Sequence, residues 1–354
     1  MSQLLENYFT LVKKILPEKS KVTSVGVDIG SDSCKLVVLA KGPDDYEIQQ
    51  CAIEPVENSN TAATIKRLLD KSKIEVKSLN TAVFGKGTLI RYIDLPRMSL
   101  DELKKSFAFE ADKYLPFPQD QIYTDCYILD PKGRDKKMSV LVAAAKKEVI
   151  NERIQLLGQL GLQTNFISVN ALAIANVFHA VGLGPEAAPN DPPEAKAAYA
   201  LFDMGENVSN LIIFKENLPR FTRDIFIGGL ELSKRISNCL GISMSEAKKL
   251  KSQPQTRKEE IGTACESVFN SLISEMRLSF DYFITEKNVL ISRLYLTGGS
   301  SMFEGIVDIF AKGLDIPVEQ WRPLKKMKFS SEISSEEVVR NESRLAVALG
   351  LSLY

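Results

Sequence analysis

The sequence predicts an α/β fold of two duplicated lobes facing each other across a cleft, with smaller subdomains inserted in the lobes. Three stretches carry this prediction. The run from Val25 to Leu39 reads as an apolar strand, a tight Asp28-Ile29-Gly30-Ser31-Asp32-Ser33 turn and a second apolar strand. Tyr199–Phe202 leads into Asp203-Met204-Gly205 and a polar turn to Ser209, and the strand Leu211–Phe214 follows, so Asp-x-Gly recurs 175 positions later. Leu294–Thr297 is a strand that enters Gly298-Gly299-Ser300, with a helix expected over 303–312. Repetition of one supersecondary unit at a long interval is the mark of a duplicated fold.

The chemistry of the first hairpin suits a phosphate. A glycine at position 30 permits backbone geometry that a side chain would block. Turn N–H groups and the Ser31 and Ser33 hydroxyls can point at anionic oxygens. Asp28 offers a carboxylate to a hydrated divalent cation, and Lys35 a positive charge to a phosphate. The plain alternative is a β-hairpin with a polar turn. The double glycine at 298–299 lets the backbone lie against a flat base or a phosphate, and a helix N-terminus behind it adds a favourable field.

Composition narrows the classes. The 354 residues suffice for two cores, 44% are hydrophobic and 25% charged, as in globular chains. Lys plus Arg equals Asp plus Glu at 45 each, which gives no basic signature for nucleic acid. The five cysteines are scattered without a C-x-x-C pair and read as reduced, buried thiols of a cytoplasmic chain, not as a disulfide frame or zinc site. No apolar run approaches the ~20 residues of a membrane span, and no signal peptide is visible. The single histidine, His179, lies on an expected helix without a catalytic partner motif. No G-x-x-x-x-G-K-[ST] loop occurs, and Gly182-x-Gly184 lacks the leading strand of a dinucleotide site.

Taken in order, residues 1–21 form an amphipathic segment with Leu4, Tyr8, Leu11, Val12 and Ile15 at helical spacing. Lobe 1 is expected over 22–94, with a helix at 61–71 and strands at 81–84 and 89–93 around Gly85-Lys86-Gly87, which reads as a hairpin loop with an anion site as the alternative. An inserted α/β subdomain spans 95–162, opened by the capping box Ser99-x-x-Glu102 and closed by a helix at 147–160. Lobe 1 resumes over 163–198, with a Gly/Pro-rich loop at 182–193. Lobe 2 occupies 199–227 and 285–330, separated by a helix-rich subdomain at 228–284, and 331–354 forms a C-terminal helix returning to lobe 1.

Asp28-Ile29-Gly30, Asp203-Met204-Gly205 and Thr297-Gly298-Gly299 stand in the order of the phosphate-1, phosphate-2 and adenosine motifs of the actin/Hsp70/sugar-kinase superfamily. The chain from about residue 22 onward resembles, within it, the PilM family of cytoplasmic actin-like proteins of type IV pilus assembly. The shared marks are Gly26–Ser31, Leu95-Pro96-Arg97-Met98-Ser99, Tyr114-Leu115-Pro116-Phe117-Pro118, Phe221–Gly229 and the Ala346–Leu351 ending. FtsA and the cytoplasmic domain of GspL are relatives. The resemblance implies an actin-like, ribonuclease H-like fold with a nucleotide cleft and ATP with Mg2+ as cofactors. Asp28, Gly30, Ser31, Ser33 and Lys35 would meet the phosphates and metal, and Asp203, Gly205 and Ser209 would act from the other side. Gly298, Gly299 and Ser300 would flank the adenosine, with Gly229 and Lys251 beside the nucleotide. Asp28 and Asp203 would hold the metal through water. The implied partner is the short cytoplasmic tail of a PilN-like inner-membrane protein, which would keep the chain peripheral at that membrane. A groove along Leu95, Pro96, Tyr114, Pro116 and Phe117 is the expected seat, the alternative being that these side chains are core. Self-association is a further possibility of the class.

The chain departs from the family pattern where hydrolysis would be served. Lys248 replaces the glutamate that precedes Lys251 by three residues, Val208 replaces a hydroxyl residue, and Ser168 and Asn170 stand where acidic residues are frequent. The expectation is a scaffold with ATP as a conformational ligand and at most slow ATPase activity. A related type II secretion role, a small-molecule kinase and an FtsA-like filament former are the alternatives. No sugar-kinase carboxylate base is evident, and Leu345–Tyr354 is too short and uniformly apolar for a membrane-targeting helix.

Overall fold

The apolar strands of 22–55 fold as an antiparallel meander, with β2 buried along nearly all of its length. β1 (Val22–Ile29), β2 (Ser33–Lys41) and β3 (Tyr46–Pro55) pair in sequence, with Asp28 opposite Lys35. β1 runs parallel to β4 (Ser78–Val83), and β4 parallel to β8 (Gln163–Val169). With the short β14 (Lys328–Phe329) they form one sheet of order β14-β3-β2-β1-β4-β8. The computed structural model describes residues 22–42, 45–131, 137–181, 197–253, 257–324, 327–331 and 333–354. The amphipathic segment 1–21 and the loop 182–193 lie outside the described residues.

The second lobe repeats this layout. β9 (Ala198–Met204), β10 (Ser209–Lys215) and β11 (Leu218–Ile225) are antiparallel, while β12 (Ile291–Thr297) runs parallel to β9 and to β13 (Val318–Gln320). The order β11-β10-β9-β12-β13 matches β3-β2-β1-β4-β8 strand for strand. The duplication read from two Asp-x-Gly turns is therefore a duplication of whole sheets, and it places both turns at equivalent ends.

Between the sheets lie α4 (Asn170–Val181) and, after the short α9 (Ser335–Arg340), α10 (Glu342–Ser352). Their core joins Val37 and Leu39 of the first sheet to Leu201 and Ile212 of the second and includes the buried Trp321. Small residues make this layer thin. Ala173 on α4 faces Gly350 on α10 so closely that a Cβ at 350 would overlap the Ala173 carbonyl. The outer face of the first sheet is covered by α1 (Thr61–Ser72) and α3 (Lys147–Gly158), through Ile65, Leu68 and Leu157. The outer face of the second is covered by α5 (Gly229–Leu240), α6 (Met244–Ser252), α7 (Lys258–Lys287) and α8 (Ile306–Leu314). On α7 the buried Ile261, Cys265, Val268, Leu272, Met276 and Phe280 recur at helical spacing, the stripe that holds a long helix to a sheet.

The inserted subdomain is a three-stranded sheet of β5 (Thr88–Pro96), β7 (Lys137–Lys146) and β6 (Ile122–Asp130), with α2 (Leu100–Glu110) on one face. Ser99 and Glu102 form the capping box at the start of α2. Two boundaries differ from the sequence expectation. Gly85–Gly87 is a crossing between sheets rather than a hairpin loop, because β4 pairs with β1 and β8 while β5 pairs with β7. The helix at the other end, α3, belongs to lobe 1, since its Leu157 is buried against that lobe's sheet.

Candidate functional site

The two Asp-x-Gly turns and the loop after β12 converge on one cavity of about 320 Å³. In the first turn, Gly30 N donates to Ser33 O at 3.2 Å, and Asp32 O accepts from Val56 N at 2.8 Å, which fixes the turn against the end of β3. Lys35 Nζ lies 3.0 Å from Asp28 Oδ2, both side chains mostly buried. In the second turn, Gly205 O accepts from Ser300 Oγ at 3.0 Å and from Gly229 N at 2.9 Å. These bonds tie the second turn, the double glycine and the start of α5 into one rigid wall.

Gly298 is required by its backbone. Its φ of +89° lies in a region that L side chains rarely adopt, and a Cβ would sit 2.5 Å from Asp203 Oδ1. The Gly298 N–H donates to Ser343 O at 2.8 Å, joining this loop to the first turn of α10. The helix expected from residue 303 begins later. Gly299–Met302 forms a 3-10 turn, and Gly305, at φ +81°, starts α8 at Ile306. The helix N-terminus therefore does not rest on the double glycine.

Asp28, Gly30, Ser31, Ser33 and Lys35 line the cavity from the first turn, and Asp203 and Gly205 from the second. Gly298, Gly299, Ser300 and Lys251 line it as well. Ser209 and Gly229 are placed differently. Ser209 is buried with its hydroxyl donating to Ile227 O at 2.7 Å, and Gly229 is buried at the head of α5 with its carbonyl accepting from Lys251 Nζ at 2.9 Å. Sequence reasoning missed Asp32, Glu206 and Arg344. Lys248 Nζ reaches Asp32 Oδ1 at 2.7 Å and Glu206 Oε1 at 3.4 Å, and Lys251 Nζ lies 3.2 Å from Glu206 Oε2. The only advance signal was the pair of lysines at i and i+3 on one helix face.

The electrostatics follow from burial. Asp203 is enclosed, and burial together with the nearby Asp28 charge pushes its carboxyl up to about 7, against the pull of Lys35. Burial also works to raise Asp32, but the Lys248 hydrogen bond and the charges of Lys248, Lys251 and Lys35 outweigh it and hold Asp32 below its ordinary value. Asn170 borders the cavity, and its buried Oδ1 has no hydrogen-bond partner among the described residues. The Ser168 hydroxyl is engaged by the Tyr354 hydroxyl at 3.0 Å. Neither residue carries a carboxylate.

These residues suit a hydrated divalent cation carried by a phosphate chain. No cluster of three or more His, Cys, Asp or Glu able to hold a bare metal occurs among the described residues. Two carboxylates can hold, through water, an ion that keeps most of its waters and shares phosphate oxygens, and the lysine and turn N–H groups can donate to those phosphate oxygens.

The expected groove residues lie at the margin of the inserted subdomain's core and on its surface. Leu95, Tyr114 and Phe117 are half-buried against it, Tyr114 stacking on Phe107 with ring centroids 5.8 Å apart, while Pro96 and Pro116 are exposed. A larger cavity of about 900 Å³ lies where β5 meets β11 and the end of α7, bordered by Phe226, Leu278 and Tyr282. No described helix is long and apolar enough to cross a membrane.

Paired sheets of identical strand order around a cleft lined by two Asp-x-Gly turns define an actin-like protein. Residues 26–354 match the family described as type IV pilus assembly protein PilM, and the chain belongs to that family. Among solved structures it is similar to a chain of a PilM-PilN type IV pilus biogenesis complex. The two share 23% identity over 94% of this chain and 98% of that one, at a TM-score of 0.82. It is similar in fold to the ethanolamine utilization protein EutJ from Carboxydothermus hydrogenoformans, at 16% identity over 99% and 98% of the two chains and a TM-score of 0.53. A diol dehydratase-reactivating factor shares the fold at 8% identity over 94% of this chain and 99% of that one, with a TM-score of 0.51.

Proposed function

We propose that this chain is a nucleotide-binding scaffold of type IV pilus assembly that takes Mg-ATP in the cleft and grips the cytoplasmic tail of a PilN-like inner-membrane protein. The observation that carries the nucleotide reading is the convergence of two duplicated Asp-x-Gly turns and a double-glycine loop on one cavity. In this reading the phosphates lie against Gly30, Ser31, Ser33, Lys35 and Gly205, and Asp28 and Asp203 hold the cation through water. Gly298, Gly299 and Ser300 flank the nucleoside, with Met302 and Phe303 as its apolar neighbours.

ATP acts here as a ligand that shifts the balance between two arrangements of the lobes. A general base is what hydrolysis would need, and Asn170 and Ser168 supply none. The PilN-like tail is supported by family membership and by the similarity to a chain solved in a PilM-PilN complex. It would hold the chain at the inner membrane, seated against the inserted subdomain. Calorimetric titration of Mg-ATP into the chain and into Asp28→Ala tests the nucleotide reading. Binding by the parent and its loss in the variant are expected; a parent that takes up no Mg-ATP contradicts it.

A further inference from the structure

Lys35, Lys248 and Lys251 each reach a carboxylate at the cleft: Asp28, Asp32 with Glu206, and Glu206. Arg344 does not. It stands on the first turn of α10, 311 positions from the first turn's Ser33, and lines the same cavity. Its guanidinium donates to two neutral oxygens at the edge of bonding range, Ser33 Oγ at 3.4 Å and Asn341 Oδ1 at 3.5 Å. It forms no ion pair among the described residues. Burial works against its charge, and the field of Asp32 favours it only from beyond ion-pair distance.

A half-buried cation without a counter-ion is an unfavourable arrangement that an anion relieves. The position of Arg344 says where that anion would lie. Its side chain passes beside Gly299, whose Cβ position is 3.8 Å from Arg344 Cγ, and its Nη2 ends at Ser33. The guanidinium thus spans from the double-glycine loop to the first turn. Its planar fork of N–H donors matches paired phosphate oxygens.

We propose that Arg344 is an anion-binding residue of the cleft, contacting the phosphate chain of the bound nucleotide between the first Asp-x-Gly turn and the double glycine. This rests on the nucleotide reading given above. It adds a ligand contact from α10, a helix that packs on β1, β2 and β4 of lobe 1 and on β12 of lobe 2. Phosphate occupancy is thereby felt by the element shared between the lobes.

The test is calorimetric titration of Mg-ATP, magnesium triphosphate and adenosine into the full chain, Arg344→Gln and Arg344→Lys, with thermal unfolding of each protein alone. Arg344→Gln is expected to weaken Mg-ATP and triphosphate at least about 10-fold, with adenosine binding unchanged and the unfolding midpoint retained. Arg344→Lys recovers part of the loss. Equal Mg-ATP affinity in parent and Arg344→Gln, or an equal loss for adenosine, overturns the assignment of Arg344 and leaves the nucleotide reading standing. A parent that binds triphosphate through Arg344 but gains nothing from the nucleoside overturns the nucleotide reading and keeps Arg344. A parent that binds none of the three overturns both.

Discussion

Lys248 of lobe 2 crosses the cleft to place its ammonium 2.7 Å from Asp32 at the tip of lobe 1's first turn. The same ammonium is 3.4 Å from Glu206 of lobe 2's own turn, so a single side chain bridges the two turns. The Lys248 and Asp32 side chains are 42% and 43% exposed, which limits such a pair to about 1 kcal/mol or less. Lys248→Ala is therefore expected to leave the unfolding free energy within about 1 kcal/mol of the parent. Lys248→Glu puts a third carboxylate against Asp32 and Glu206, and its lobes should stand further apart. A larger radius of gyration by small-angle scattering for the Glu variant, without a change for Ala, is the expected outcome.

Asp203 makes stability depend on pH. The folded carboxyl keeps its proton to about pH 7, whereas an unfolded aspartate releases it near 3.8. Between these values the folded state binds more protons, so this group's contribution to stability falls as pH rises through the window and is level above it. The difference in unfolding free energy between parent and Asp203→Asn should accordingly shift against the parent from pH 4 to pH 7. Urea unfolding at stepped pH measures it. Mg-ATP affinity should rise over the upper part of the same window, because the cation needs the ionised form.

Gly298→Ala forces a side chain into a backbone region that costs an alanine about 1–3 kcal/mol. The new methyl also meets Asp203 Oδ1 and the Met204 backbone. Loss of stability in that range, together with loss of Mg-ATP binding, is expected from denaturant unfolding and calorimetry. Gly262, whose Cβ would meet nothing within 4 Å, serves as the control, and Gly262→Ala should be neutral or stabilising.

Asn170 tests why the site would bind without cutting. Phosphate release by the parent is expected to be no faster than about 10⁻² per second, the scale of a nucleotide switch that turns over without an activating partner. Asn170→Asp places a carboxylate at the cavity wall where Oδ1 now lacks a partner. Turnover should rise in this variant with Mg-ATP affinity little changed. A parent that already turns over faster would remove the reason for treating ATP as a ligand.

The fold was legible because its signals are local. Asp28-Ile29-Gly30 and Asp203-Met204-Gly205 each sit between apolar strands, and a hairpin needs nothing beyond its own residues to be recognised. Ser99 and Glu102 announced α2 in the same way, and Ser243 with Glu246 form a second capping box at the start of α6. What escaped depends on long-range contact. Nothing near Arg344 says that it will meet Ser33, and nothing near Lys248 says that it will find Asp32. The assignment of β5 to the inserted sheet depended on its pairing with β7, some 50 residues downstream. Leu95, Tyr114 and Phe117 read as a groove, with core the readier reading for any one of them alone, and they are partly buried against the cluster formed with α2 and β7. The start of α8 moved by three residues because Gly305 adopts a left-handed conformation that the apolar spacing does not encode.

The central claim is that nucleotide in the cleft alters the grip on a membrane partner. Its most direct test is the affinity of the full chain for a fluorescent peptide of the PilN-like cytoplasmic tail, measured by anisotropy with and without saturating Mg-ATP. Coupling between the sites should change the dissociation constant by about 5-fold or more, the range of ordinary allosteric linkage. The change should disappear in Asp28→Ala. Tail binding of equal strength with and without Mg-ATP would contradict the account.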